Sequence, residues 1–187
     1  MGPHRNSYSK TDPDATFMRM KDDVLGNGQL KAGYNLQIST QEQVILHYGI
    51  YESRNDTDTY IDHLKKYQKA YGRLPATAVA DAGYGSEQNY RFLEENQIEA
   101  YVKYNMFDKE QKKKFKEDIG KIEHLYYNEQ EDYFVCPMGQ KMTFRYTYDS
   151  YTQRGYKQEI RVYQAQNCGG CPVRGVVILQ NTTEKFM

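Results

Sequence analysis

Two groups of side chains in this sequence have the type and spacing to do chemistry. The first is centred on Asp81, which closes the small and β-branched run 76–80 and is followed by Gly83, Gly85 and Ser86. A carboxylate at the carboxyl end of a buried strand, ahead of a glycine turn and a helix, stands where open α/β sheets place ligands. The same position also suits an Asp that caps a helix or shapes a turn. The second group is the cysteines, in Cys136-Pro-Met-Gly139 and Cys168-Gly-Gly-Cys171. Such spacings resemble the knuckles of a small zinc site, where thiolates bind tetrahedrally and glycine permits the tight turn. Three thiols are one short of a closed structural site, so free or buried thiols are the competing reading. No helix pattern follows Cys171, which argues against a thioredoxin-like redox pair. His4, His47, His63 and His124 share no ligand spacing and read as packing or surface residues. The sequence has no Walker or dinucleotide glycine loop and no GxSxG elbow.

The elements that must position Asp81 are legible from periodicity. Two β-rich runs, AGYNLQIST and VILHYGIYE, flank Gln41-Glu42-Gln43 and predict an antiparallel hairpin within residues 30–52. The cap-forming cluster Ser53, Asn55, Asp56, Thr57 and Asp58 precedes Tyr60, Ile61, Leu64, Tyr67 and Tyr71 at helical spacing. Gly72 and Pro75 end that helix, and a short buried strand over 76–80 follows. Ser86 then caps a brief helix containing Tyr90 and Leu93 that closes at Asn96, and 98–103 is the next strand. The order β-β-α-β-α-β is a mixed α/β pattern whose last two strands, joined by a helical crossover, should be parallel. Residues 105–121 are expected to form a charged helix, either a solvated face or a phosphate-contacting one. From His124 to Gln164 short alternating segments punctuated by Pro137, Gly139 and Gly155 predict a small all-β insertion.

Composition narrows the class. The 187 residues suffice for one domain, or one with an appendage. Twenty-five Lys and Arg balance 25 Asp and Glu, so no global basic field advertises nucleic acid or a membrane surface, and any such binding must be local. A mean hydropathy of −0.92 and a longest apolar run at 176–179 exclude a transmembrane helix, and no signal-peptide pattern opens the chain; a cytoplasmic protein is expected. Nineteen Tyr make the chain too aromatic for disorder and suit half-buried strand positions, with base stacking as the functional alternative. Three Cys argue against a secreted disulfide framework.

The wider motif around Asp81 adds a resemblance. AVADAGYGSEQNYRFLEE behind a GYNLQIS strand resembles the catalytic core of DDE-type transposases of bacterial insertion sequences. SKTDPDATFMRMK, GYN, DAGY, YFVCPMG and CGGCPVR stand in the order expected for one branch of that group, over roughly residues 10–174. The resemblance implies an RNase H-like mixed sheet and three acidic residues holding two Mg²⁺ ions about 4 Å apart for in-line displacement at a DNA phosphodiester. Asp81 matches the second acid. Asp12 and Asp14 match the TDPDA segment, and with Tyr84 are placed near the site, a Pro-stabilised turn being the alternative for the two acids. The first acid lies on a strand upstream of TDPDA in the family, where this sequence shows a polar tail. The third, a helical Glu, is not matched by Glu184, and a fourth Cys expected near Val177 is not seen. The expected organisation is a tail (1–10), a partial RNase H-like core (11–104), a charged helix with a β-rich cysteine insertion (105–174) and a divergent tail (175–187), the first strand and last helix missing. The partners implied are insertion-sequence ends and further transposase chains. The function implied is transposition by a fragment, or a catalytically inactive remnant that binds DNA or another transposase chain.

Overall fold

A computed structural model describes residues 7–20, 26–152 and 154–173. The expectations for Arg174, Val177 and Glu184, and most of those for the 1–10 tail, lie outside the described residues. The chain divides at Asn105/Met106 into two compact units.

The first unit is mixed α/β. Strands β1 (Thr16–Arg19) and β2 (Leu30–Gly33) pair antiparallel, Thr16 opposite Gly33. The expected hairpin is present as β3 (Asn35–Gln41) and β4 (Val44–Tyr51), with Leu36 opposite Ile50 and Ile38 opposite Tyr48. Its loop is the pair Glu42-Gln43, at φ 50° and 68°. Two successive positive φ values give the turn whose twist matches the flanking strands. Helix α1 (Asp56–Tyr71) starts with Asp56 and Asp58 in its first turn, where carboxylates favour the positive helix end. It ends at Gly72, whose φ of 73° lets its N–H reach the Gln68 carbonyl at 2.8 Å. Strand β5 (Thr77–Ala80) is joined through α2 (Glu87–Glu95) to β6 (Glu99–Val102), and the two are parallel with Val79 beside Tyr101, as the crossover required. Ser86 caps α2 by accepting the Asn89 N–H at 3.2 Å. The core joins Tyr60 and Leu64 of α1 to Ala78, Leu93 and Ile98. The described residues of this unit thus form small two-stranded sheets, and β3 and β5 share no ladder.

The helix-facing side of the hairpin is polar. Gln37 and Ser39 alternate with Leu36 and Ile38, and the inward set lies over α1. There His63, read from sequence as an isolated residue, meets His47 at a ring separation of 4.8 Å. Ser39 Oγ stands 2.7 Å from His63 Nε2, and Tyr51 Oη 3.4 Å from Nδ1. The two histidines are 16 residues apart on different elements, so no local spacing could announce the pair.

The second unit carries the antiparallel sheet β10-β9-β8-β7, built from β7 (Tyr126–Asn128), β8 (Tyr133–Val135), β9 (Lys141–Tyr151) and β10 (Lys157–Ala165). Phe134, Met142, Tyr163 and Ala165 form its core. The continuous charged helix expected over 105–121 is not formed. Two single turns replace it, α3 (Phe107–Glu110) and α4 (Lys113–Lys116), separated where Lys112 adopts an extended ψ of 140°. Lys109, Lys112, Lys113, Lys114 and Lys116 repel along so short a segment, and no apolar stripe offers packing to offset helix nucleation. In the β7–β8 turn Asp132 accepts Tyr127 Oη at 2.7 Å, Tyr163 Oη at 2.6 Å and Arg161 Nη2 at 2.6 Å, tying both edges of the sheet together. The Tyr163 bond in particular holds the Asp132 carboxyl below its ordinary pKa.

Two predictions follow from this packing. Replacing Glu42-Gln43 by Asn-Gly, which tolerates left-handed backbone, stabilises the chain by about 1 kcal/mol in urea unfolding. Burial, then the neighbouring His47 and Lys66 charges, lower the His63 pKa from 6.5 to about 4, with Asp62 opposing. Between those values the unfolded chain binds the extra proton, so stability is fully present above pH 6.5 and falls as pH drops toward 4. In His63→Leu the melting temperature loses that dependence between pH 6.5 and 4.

Candidate functional site

Asp81 is the first residue beyond β5 and is exposed. Its Oδ1 accepts the Gly83 N–H at 2.8 Å, which folds the short 3₁₀ turn Ala82–Tyr84. The turn reading and the ligand position therefore coincide in one residue: one carboxylate oxygen shapes the loop while the side chain stays open to solvent. Gly85 lets that loop pack closely, since a Cβ there would stand 2.8 Å from the Lys103 carbonyl. Asn105 Nδ2 closes the contact by donating to the Gly85 carbonyl at 3.1 Å.

A second carboxylate meets this loop from α1. A Cβ placed on Gly83 would lie 2.9 Å from Asp81 Oδ1 and 3.1 Å from Asp56 Oδ2, so glycine keeps open the space between the two acids. Asp56 Oδ1 accepts Asn35 Nδ2 at 2.8 Å and Gln37 Nε2 at 2.9 Å, both from β3. Gln37, only 3% exposed, accepts the Tyr84 hydroxyl on its Oε1. Burial first, then the negative Asp56 and Asp81, push the Tyr84 pKa up to about 12, so the phenol stays protonated and donates. Buried Asn89 completes the frame, its Nδ2 donating to the Thr57 carbonyl at 3.0 Å and the Tyr84 carbonyl at 2.7 Å. The result is an exposed carboxylate on a glycine loop, held against β3 and α1 by neutral amides and a phenol.

Such a pair of carboxylates offers hard oxygen donors suited to a divalent cation such as Mg²⁺. Among the described residues, however, no three His, Cys, Asp or Glu side chains come together as a metal-holding group. Asp12 instead folds its own turn: Oδ1 accepts the Asp14 N–H at 3.1 Å and the Ala15 N–H reaches the Asp12 carbonyl at 3.2 Å. Its Oδ2 accepts the Tyr34 hydroxyl at 2.9 Å. Tyr84, the other residue placed near the site, lies in the Asp81 loop itself.

The three cysteines are in no disulfide. Cys136 and Cys168 pack against the Phe134–Tyr163 core, Gln140 N–H points at Cys136 Sγ at 3.4 Å, and Gly139 and Gly170 take the positive φ that the two turns need. Among the described residues no group of three ligating side chains forms around these cysteines.

Asn35, Gln37 and Asp56 were not singled out from sequence as site residues. Asn35 and Gln37 carry a signal, since their i, i+2 spacing puts both on one face of a strand. Asp56 was masked by its company, being one of five cap-forming residues within 53–58.

A family model for the transposase DDE domain matches residues 5–169, and the chain belongs to that family. No curated protein and no solved structure matches the chain.

The frame makes a quantitative expectation. Gln37→Leu removes the acceptor of the half-buried Tyr84 hydroxyl and leaves Asp56 Oδ1 with Asn35 alone, and destabilises the chain by about 1–3 kcal/mol in urea unfolding. Asp81→Asn, whose carbonyl oxygen still accepts the Gly83 N–H, changes stability by less than about 0.5 kcal/mol.

Proposed function

We propose that this chain is the core portion of a DNA-cutting and strand-joining DDE transposase, with an RNase H-like arrangement in its first unit and Asp81 as a ligand for a divalent cation. The observation that carries this reading is the placement of Asp81: an exposed carboxylate on a glycine loop, at the carboxyl end of a strand parallel to its neighbour, in a chain of the transposase DDE family. The succession hairpin, α1, β5, α2, β6 also supports it. Mg²⁺, when bound, supplies charge stabilisation to the entering and leaving oxygens of a phosphodiester. This chain's own residues present and orient the carboxylate. Asp56, Gln37 and Tyr84 hold the loop, while Gly83 keeps open the space between the two acids and Gly85 lets the loop pack against Lys103. DNA is the partner on this reading, and a DNA-associated place in the cytoplasm follows from it. Among the described residues no helix is long and apolar enough to cross a membrane.

A second reading, a catalytically inactive remnant that binds DNA or another transposase chain, is favoured by one observation: among the described residues two carboxylates converge where the two-ion chemistry uses three. A single set of experiments separates the readings. Mn²⁺ is expected to broaden the amide signals of residues 81–85 in NMR spectra of the wild-type chain but not of Asp81→Ala. The purified chain is expected to leave supercoiled plasmid intact in Mg²⁺. Absence of local broadening removes Asp81 as a cation ligand and leaves the remnant reading. Nicking that Asp81→Asn abolishes shows instead that the chain assembles the whole site by itself.

A further inference from the structure

The turn that follows β10 brings two of the three thiols together. Cys171 N–H donates to the Cys168 carbonyl at 3.4 Å, closing a four-residue turn with Gly169 and Gly170 at its centre. Gly170 alone of the central pair takes a positive φ, 69°, which is the type II arrangement. Such a turn holds the Cα atoms of its first and last residues within about 7 Å, and a disulfide spans Cα separations of about 4.4–6.8 Å. The turn is also anchored. Asn167 Oδ1 accepts the Gly169 N–H at 3.1 Å, Gln140 Oε1 accepts the Asn167 N–H at 3.4 Å, and Cys168 packs against the Phe134–Tyr163 core. Both thiols are half-buried and neither is in a disulfide. Cys136 stands apart from this pair. It follows β8 while the other two follow β10, and β9 runs between those strands. Two strand spacings amount to about 9–10 Å, beyond disulfide reach.

We propose that Cys168 and Cys171 form a reversible disulfide, which makes this turn a site of thiol–disulfide exchange with low-molecular-weight disulfides. The thiolate of Cys171, which is not part of the apolar cluster that holds Cys168, attacks one sulfur of the external disulfide. An S–S bond forms to Cys171 and one external thiolate leaves. The Cys168 thiolate then attacks Cys171 Sγ, and the second external thiolate leaves as the ring closes. The two protons given up by the cysteines go to the two released thiols. The protein loses two electrons and the external disulfide gains them. Because the turn already holds both backbones in reach, the second step is intramolecular at high effective concentration. A glycine turn positions these sulfurs, where a thioredoxin-like pair would use a helix N-terminus. The site is independent of Asp81, which lies in the first unit.

The test uses the full chain, stripped of metal with a chelator, and oxidised glutathione as the probe. Thiol titration is expected to show the free thiols falling from three to one, with the loss of two hydrogens confined to the peptide that carries Cys168 and Cys171. Cys136→Ser should close the same disulfide, whereas Cys168→Ser and Cys171→Ser should stop at a mixed disulfide with glutathione. The equilibrium constant for closure against glutathione should be at least about tenfold larger in the folded chain than in concentrated urea, because only the folded turn holds the two cysteines in reach. Retention of all three thiols overturns the proposal. So does a pairing through Cys136, glutathione on both cysteines without ring closure, or closure no more favourable in the folded chain than in urea. That last comparison uses the wild-type chain, so it decides even if a serine variant fails to fold.

Discussion

Gln37 is the residue on which the organisation of the first unit depends. Its amide donates to Asp56 at the start of α1 and its carbonyl accepts Tyr84 from the loop after β5, so one buried side chain joins three elements. Those elements need the link because, among the described residues, β3 and β5 share no backbone ladder. Apolar packing around Leu93 brings α1, α2 and β5 together without setting direction, whereas an amide with distinct donor and acceptor ends fixes which side of β3 meets the loop. The geometry of Asp81 is inherited from that choice.

The same constraint explains why the hairpin places polar groups inward. A side chain facing α1 there must satisfy Asp56, His63 and the tyrosine hydroxyls around them, and aliphatic residues would leave those groups buried without partners. Period-two alternation then sends Leu36, Ile38, Tyr48 and Ile50 outward together. The apolar outer face and the polar inner network are two consequences of one register, and a slip by one residue would exchange them. The second unit solves a related problem differently, with Asp132 collecting two phenols and a guanidinium over an apolar cluster.

Much of the element order was legible before any coordinates. The hairpin, the helix after the cap-forming cluster, the crossover to a parallel strand and the Ser86 cap all join residues no more than 22 positions apart, and each left a periodic or capping signal. The β1–β2 pair left none, since neither four-residue strand alternates clearly. The charged segment beyond Asn105 misled because charge and helix propensity were visible there while the absence of a packing surface was not. Asp81 was recognisable because its chemistry and its turn are local to one loop.

The sequence by itself determined the succession from the β3–β4 hairpin to β6 and the carboxylate at the end of β5, because period, caps and glycines act over a few neighbouring residues. Only the tertiary structure decided that Asp56 faces Asp81 across Gly83, that His47 meets His63, and that Gln37 binds Tyr84, 47 positions away. Those meetings are set by how α1 lies against two separate sheets, a matter of packing between elements that no local pattern encodes.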